Sequence, residues 1–351
     1  MAERIPVHNP GTISPLPYTT MATFPPHSFL ENIAARSNGT LLVSNMTSGE
    51  IYYIDPHVAN PQSTVQTIHS FNSSKPLKAE DSSQYGLGYV AEALVEDPGI
   101  PDVFYTMSGK HGARGSWAVW RLDVRDFNPA RAKVEVEKVA DVPDVQWLNG
   151  ATFLPAHNVL IMAESLQGKL IACNVTTGEV VTWLEDQQLG KITGRLPWPG
   201  VNGVQFFCGR VFMTNSDRAL VLKVTVDKNT GRCVEGSLEV VAEGLTGDDL
   251  AFDIRGSMYV ATNPAQTVMK LDEIGLVEEE AGDKKGKVER TTILGGEEEE
   301  ETAGPTAVAF GRGGEDREAL YVVTTGGIVN PVNGKVGLAR VVRVDVAVKG
   351  G

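Results

Sequence analysis

Six polar residues occupy equivalent places in the sequence, each at the start of an apolar stretch with the composition of a β-strand. They are Glu31, Glu92, Asn149, Asn202, Asp248 and Thr306. An apolar strand would normally begin with Val or Ile, so the recurrence of polar residues needs a reason. Carboxylate and amide oxygens brought together form a cage for a hard cation such as Ca²⁺, which takes about six to eight oxygen ligands.

A second explanation for these residues is structural, because Asn, Asp and Thr side chains often hydrogen-bond to nearby backbone. It suits Asn149 and Thr306 as well as a ligand role does. It suits Glu31 and Glu92 less well, since a carboxylate within an apolar stretch is costly unless it is paired or bound to metal. Both explanations stay open at the level of the sequence.

Long segments near these positions carry aromatic and hydrogen-bonding side chains. The candidates for proton transfer or hydrogen-bond donation are Tyr85, His111 and Arg218, and the candidates for substrate contact are Trp117, Trp147, Asn149, Trp198 and Asn263. Aromatic walls with a few donors suit a hydrophobic, oxygen-bearing small molecule. A single His in a Gly-rich loop is more often an ordinary exposed side chain, and that alternative applies to His111. Trp117 and Trp120 alternate along one strand, so only one of them is expected to reach a pocket.

The elements that would position these residues are six divergent copies of one unit, in which an apolar strand, a turn and a second apolar strand follow each other. The copies begin at Leu30, Ala91, Leu148, Val201, Gly247 and Gly304. A third strand ending in Asp or Asn follows each copy, and a fourth strand follows all but the sixth. The N-terminal segment from Tyr18 to Phe24 supplies the missing strand.

This pattern predicts an all-β fold, a six-bladed β-propeller whose ring is closed by an N-terminal strand in the last blade. Residues 1–351 form one domain in this interpretation. Because the innermost strands of a propeller run beside the central channel, the six polar side chains should surround one end of it. The rim residues should form a pocket at that channel mouth.

Composition and charge limit the partners and the compartment. A net charge of -13 disfavours binding to nucleic acid or to an anionic membrane, and no stretch approaches a membrane span. Three cysteines cannot all pair within the chain, which favours a reducing compartment, and we expect a cytoplasmic protein with a small-molecule partner. Glycosylation triplets keep a secreted origin open if a signal peptide was removed. The oligomeric state is not specified by these features.

No nucleophile elbow, phosphate-binding loop, zinc-ligand pair or Ser/His/Asp set is present in the sequence. Covalent catalysis and nucleotide chemistry therefore have no support from motifs. A pocket of this composition has to act through shape, hydrogen bonds, general acid chemistry or a bound cation.

At the six polar positions the sequence resembles the superfamily of regucalcin, gluconolactonase and strictosidine synthase, whose members are six-bladed propellers. In the regucalcin and gluconolactonase branch a Glu on the first blade, an Asn before Gly and an Asp hold a metal ion. The matching positions here are Glu31, Asn202 and Asp248, and Asn149 resembles a further Asn near metal and substrate. Asp248 is followed by Asp249 instead of glycine, which leaves open which carboxylate faces the channel.

The first blade, FPPHSFLENIAARSNGTLLVSN, and the segment GSWAVWRLD resemble a fungal branch of that superfamily tied to secondary metabolism. That branch includes hetero-Diels-Alderases, which join a tropolone-derived quinone methide to a humulene-type terpene. The resemblance implies a cyclase that orients a heterodiene against a terpene alkene and requires no cofactor. Tyr85, His111 or Arg218 would then donate a hydrogen bond to the heterodiene oxygen.

Two other functions remain open. The first is a metal-dependent lactonase, in which Glu31, Asn202 and Asp248 hold Ca²⁺ or another divalent cation that polarises the lactone carbonyl and activates water. The second is a small-molecule-binding propeller without catalytic activity, since propellers often serve as platforms.

Overall fold

The computed structural model of the chain describes residues 8–72, 88–131, 134–192, 198–274 and 288–351. Within these ranges the regular structure is almost entirely β, and the only helical segments are short 3-10 turns at Pro61–Thr64 and Pro155–His157. No helix in the described part of the chain is long and apolar enough to cross a membrane.

The predicted six-bladed propeller is confirmed, with six sheets arranged in the order of the sequence copies. Two N-terminal strands, β1 (Thr12–Ile13) and β2 (Tyr18–Pro26), join blades built by later residues. Blades 1 to 3 consist of β3 (Leu30–Ala35), β4 (Leu41–Asn45), β5 (Glu50–Ile54), β6 (Gln66–Ser70); β7 (Leu94–Glu96), β8 (Val103–Ser108), β9 (Ala118–Asp123), β10 (Glu135–Asp141); and β11 (Leu148–Leu154), β12 (Val159–Glu164), β13 (Lys169–Asn174), β14 (Val180–Glu185).

The remaining blades follow the same order from the innermost to the outermost strand. Blades 4 to 6 consist of β15 (Val201–Phe207), β16 (Arg210–Asn215), β17 (Leu220–Thr225), β18 (Glu239–Glu243); β19 (Leu250–Phe252), β20 (Met258–Thr262), β21 (Thr267–Leu271), β22 (Arg290–Gly295); and β23 (Pro305–Phe310), β24 (Ala319–Thr324), β25 (Leu338–Asp345). All pairings within these blades are antiparallel.

Blade 6 is completed by β2, which pairs antiparallel with β25 from Tyr18 opposite Val344 to Pro26 opposite Leu338. Phe24 on this strand is buried in one core cluster with Tyr321. The strand predicted from the incomplete sixth copy therefore closes the ring. A further contact was not predicted: β1 adds to the outer edge of blade 5 as a parallel partner of β22.

The second strands explain why the sequence reads as continuous apolar runs. Every residue of β4, β8 and β24 is buried, because each blade lies between two neighbours and both faces of its inner strands are covered. The outermost strands β10, β14 and β18 carry many exposed or half-buried positions and alternate more visibly. The rigid inner strands are the elements that position the site.

Candidate functional site

The innermost strands of four blades contain a register shift at the polar position. The shifts lie between Leu30 and Asn32, between Leu148 and Ala151, between Val201 and Val204, and between Pro305 and Ala307. A bulge bends the strand and re-aims the side chain that it contains. It therefore lets one polar side chain in an otherwise regular strand turn toward the channel.

The positions after Asn149 and Asn202 must be glycine for a packing reason. A Cβ on Gly150 would lie 2.5 Å from the carbonyl oxygen of Asn202, and one on Gly203 would lie 2.5 Å from the carbonyl oxygen of Asp248. The backbones of blades 3, 4 and 5 thus approach each other too closely here for any side chain. This contact draws three of the polar positions together at the channel.

These elements enclose a cavity of about 30 Å³ at one end of the channel. It is lined by Phe29, Glu31, Trp147, Asn149, Trp198, Pro199, Asn202, Asp248, Asn263 and Val329. All three predicted metal ligands and four of the five predicted substrate-contacting residues therefore meet at one place. The sequence analysis did not single out Phe29 or Pro199. Phe29 directly precedes the first sequence copy, and Pro199 directly follows Trp198.

Asp248 is held in place by amide side chains. The Nδ2 atom of Asn202 donates hydrogen bonds to Asp248 Oδ1 at 2.9 Å and to Ser216 Oγ at 3.0 Å. The Asn263 side chain also hydrogen-bonds to Asp248. Ser216 in turn donates to the carbonyl oxygen of Gly247 at 2.7 Å, which fixes the network to the backbone.

The structure answers which of the two adjacent aspartates faces this cavity. Asp248 lines it, whereas Asp249 points toward the opposite end of the channel. Asp249 Oδ2 accepts a hydrogen bond from Asn32 Nδ2 at 2.5 Å, and its Oδ1 accepts one from the backbone N–H of Leu250 at 2.8 Å. The Asn32–Asp249 pair forms a polar layer beneath the cavity.

Four buried carboxyl groups interact across these two layers. Burial raises the pKa of Glu31 and of Asp248 well above their ordinary values, and the charges of neighbouring acids raise each further. Burial likewise raises the pKa of Glu92 to about 8 and that of Asp249 to about 6. Hydrogen bonds from Asn263 and Asn202 act in the opposite direction on Asp248. Among the residues that the structure describes, none donates a hydrogen bond that offsets the raised pKa of Glu31.

Glu92 lies behind the cavity wall and supports Trp147. Its Oε1 accepts a hydrogen bond from Trp147 Nε1 at 3.0 Å, and Glu92 is fully buried. His111 packs edge-on against the same indole, with ring centroids 4.4 Å apart. Burial, followed by the charge of Lys191, lowers the pKa of His111 to about 4, so its imidazole is neutral near pH 7. His111 positions an aromatic wall and does not line the cavity itself.

Several expected pocket residues lie elsewhere. Trp117 is 1% exposed in the blade core, where its Nε1 donates to the carbonyl oxygen of Gln146, so its expected place in the pocket was wrong. Trp120 lies on the opposite face of the same blade, where it is half-buried and packs on Phe71. Arg218 is also outside the cavity, because its Nε donates to the carbonyl oxygen of Gly190 at 2.7 Å and holds a neighbouring loop.

The structure also shows where the predicted channel residues Thr306 and Asn149 lie. Thr306 Oγ1 donates to the carbonyl oxygen of Leu30 at 2.6 Å, which joins blade 6 to blade 1, so the structural explanation holds for this residue. Asn149 does line the cavity. Tyr85 lies outside the described residues.

The residues around the cavity offer oxygen donors to a divalent cation. Within the described ranges, no group of three or more His, Cys, Asp or Glu side chains is arranged to hold a metal ion. The available donors are two carboxylates and amide oxygens, and Oδ1 of Asn202 and Oδ1 of Asn263 are buried with no hydrogen-bond partner in the described part of the chain. Such an all-oxygen set is of the type that calcium prefers. The donor chemistry therefore fits a hard cation.

Comparison with solved structures identifies proteins that share the fold of this chain. Regucalcin from Agrobacterium tumefaciens, described as a calcium-binding protein, matches with a TM-score of 0.61 and 15% identity over 97% of both chains. A protein described as a "putative gluconolactonase" matches with a TM-score of 0.59 and 11% identity over 99% of this chain and 98% of that one. These likenesses confirm the resemblance to this propeller superfamily in fold.

One relative was found by its sequence. A Phoma protein described as a "Putative hetero-Diels-Alderase" is 24% identical over 342 residues, which cover 91% of this chain and 90% of the relative. No family model matches the chain.

Proposed function

We propose that this protein is a cyclase of the hetero-Diels-Alderase type, acting on a quinone methide-type heterodiene and an apolar alkene. The observation that carries the proposal is a cavity that joins aromatic walls to a pair of buried carboxyl groups, Glu31 and Asp248. The similarity to the Phoma relative along nine-tenths of both chains supports the same function.

The volume of the cavity limits which part of a substrate it could hold. A volume of about 30 Å³ accommodates a hydroxyl or carbonyl oxygen, or one to two water molecules, but not a terpene. The cavity is then the subsite for the oxygen end of the heterodiene. Among its lining residues, Phe29, Trp198 and Val329 offer apolar surface on which the hydrocarbon parts can be held in register.

The two carboxyl groups differ in a way that suits an acid and a base. Burial and neighbouring acids raise the pKa of both groups, and only Asp248 also accepts hydrogen bonds from two amide side chains, which favour its ionised form. Glu31 would protonate the hydroxyl of a hydroxymethyl-tropolone precursor, the C–O bond breaks and water leaves. Asp248 accepts the proton of the tropolone hydroxyl, which leaves a neutral quinone methide. A proton transfer from Asp248 to Glu31 restores the starting state.

The experiment is to incubate the protein with a hydroxymethyl-tropolone precursor and humulene and to resolve the cycloadducts by chiral chromatography. Glu31→Gln should lower the rate by roughly 10²–10⁴-fold, since a positioned general acid contributes that much. When the quinone methide is generated chemically in the same mixture, the variant should keep its stereochemical bias. A wild-type protein that neither accelerates the reaction nor biases its products over buffer would refute the proposal.

A metal-dependent lactonase is the second candidate, favoured by the unpartnered Oδ1 atom of Asn202 among the cavity oxygens. Glu31, Asn202 and Asp248 would hold the cation, with Asn149 and Asn263 beside it. A bound cation would polarise a lactone carbonyl and supply activated water. In this function Trp147 and Trp198 would only shape the entrance for larger lactones.

A chelator separates the two candidates. EDTA should leave cycloadduct formation unchanged if the carboxyl groups act through protons. Reversible loss of activity toward simple lactones after EDTA treatment, with recovery on addition of calcium, would favour the lactonase. Calorimetric titration of calcium into the protein and into Asp248→Asn reports binding without any substrate.

A further inference from the structure

A second and much larger cavity lies at the opposite end of the central channel. Its volume is about 860 Å³, which falls within the roughly 300–1,000 Å³ typical of sites for small molecules. The Asn32–Asp249 hydrogen bond lies at its inner end and separates it from the small cavity. We call this cavity the lower funnel. Its walls are formed by the later residues of the innermost strands, whose first residues surround the small cavity.

The lower funnel is wide because small side chains face the channel at this level. Alanines from four blades line it, namely Ala34, Ala35, Ala151, Ala251 and Ala309. Aromatic rings between them contribute further apolar surface to the wall, namely Phe153, Phe206, Phe252 and Phe310. Ile254 is 58% exposed at the same end, so apolar surface continues to the rim.

Cationic side chains outnumber acidic ones in the outer part of the lower funnel. Its cationic side chains are Arg312, Arg317 and Lys349 near the outer end, and Arg312 already forms an ion pair with Glu96. Arg317 and Lys349 are exposed and form no ion pair with any residue that the structure describes. This basic rim would attract an anion locally, although the protein carries a net charge of -13.

We propose that the lower funnel is a binding site for a free amphipathic small molecule with an anionic head group and an apolar body. The head group would lie near Arg317 and Lys349, and the body would contact the alanines and phenylalanines of the wall. The acid Asp249 at the inner end disfavours the opposite orientation, because it would face the anion. This site is separate from the proposed reaction and does not depend on it.

Two fluorescent probes with the same rings test the proposal. Anilinonaphthalene sulfonate carries the anion, and N-phenylnaphthylamine lacks it. The double variant Arg317→Glu/Lys349→Glu should weaken binding of the sulfonate by roughly tenfold and leave the neutral probe nearly unchanged. The control Lys228→Glu/Lys335→Glu makes the same change of net charge away from the funnel lining and should affect neither probe.

A cavity-filling change tests the apolar part of the same site. Ala309→Phe should weaken both probes, and Ala251→Leu provides a smaller change if the first variant does not fold. Trp198→Ala, at the other end of the channel, should leave both affinities unchanged. Equal effects of the two charge variants, or full binding by a folded funnel-filled variant, would overturn the proposal. So would charge-dependent co-sedimentation with phosphatidylglycerol vesicles without probe binding in the funnel, because it would assign the rim to a lipid surface.

Discussion

The two ends of the central channel are built from the same six strands and differ in almost every physical property. At one end, bulges and close backbone contacts bring Glu31, Asn202 and Asp248 around a cavity of about 30 Å³. At the other, alanines leave a funnel of about 860 Å³ with a basic rim. The difference teaches that a propeller can hold a narrow, rigid site and a wide site of mixed apolar and charged lining on one scaffold.

The cause of the difference lies in single positions along each innermost strand. Where a strand carries an Asn-Gly pair, as at Asn149 and Asn202, neighbouring backbones touch and the channel narrows. Further along the innermost strands, Ala151 follows two residues after Asn149 and Ala309 three residues after Thr306, and at this level the strands enclose open space. Substitutions at paired positions therefore separate the roles of the two ends.

The largest expected effect is on turnover at the small cavity. Trp198→Ala removes an aromatic wall without removing a reactive group, and loss of such a contact should lower cycloadduct formation by roughly 100-fold and loosen its stereochemistry. Phe206→Ala, which removes an aromatic ring from the lower funnel, should change turnover by less than about twofold. Rates and product ratios by chiral chromatography measure both. Equal losses would mean that the two ends are not functionally separate.

A second effect concerns stability, because the small cavity is built by backbone contact and the lower funnel is not. Gly203→Ala would place a Cβ 2.5 Å from a backbone oxygen and 2.7 Å from a backbone carbon, so unfolding free energy should fall by roughly 1–3 kcal/mol or more. Gly296→Ala meets no atom within 4 Å and is the matched control. Ala309→Phe in the funnel should cost less than Gly203→Ala. Urea unfolding curves measure the free energy of unfolding of each variant. If Gly203→Ala were as stable as Gly296→Ala, the close backbone packing at Gly203 would be contradicted.

A smaller effect should appear in the pH dependence of stability. Since burial raises the pKa of Glu92 to about 8, the folded state binds a proton that the unfolded chain releases near its ordinary, lower pKa. The stabilisation is complete below that ordinary value and is lost as pH rises toward about 8. Glu92→Gln should flatten this decline by roughly 1–2 kcal/mol in urea unfolding at acidic and mildly alkaline pH. An unchanged slope would show that Glu92 is ionised at neutral pH.

The fold was accessible from the sequence because each blade repeats one pattern and the incomplete sixth copy required a strand from elsewhere. The polar positions were visible for a related reason, since Glu31 or Asp248 stands out against apolar strands. The direction of a side chain was less accessible. Trp117 and Trp120 pack on opposite faces of one blade and neither lines the small cavity, and nothing local distinguishes the aspartate that faces the small cavity from its neighbour.

The lower funnel had no signature in the sequence. Alanine is common in buried strands, so Ala151, Ala251 and Ala309 look like ordinary core residues until the blades are assembled. The basic rim was hidden for a similar reason, because Arg317 and Lys349 are far apart in sequence and meet only when the ring of blades closes. Arg218 and His111 were expected at the pocket from their loops, yet each stabilises a neighbouring element.

The adjacent aspartates offer the most direct test of where the chemistry occurs. Asp248→Asn and Asp249→Asn are the same chemical change at consecutive residues that face opposite ends of the channel. With thermal unfolding confirming that both variants fold, Asp248→Asn should lower the rate of cycloadduct formation by roughly 10²–10⁴-fold, and Asp249→Asn should stay within about threefold of the wild type. Loss of activity in Asp249→Asn equal to that in Asp248→Asn, or full activity in Asp248→Asn, would contradict the assignment of the reaction to the small cavity.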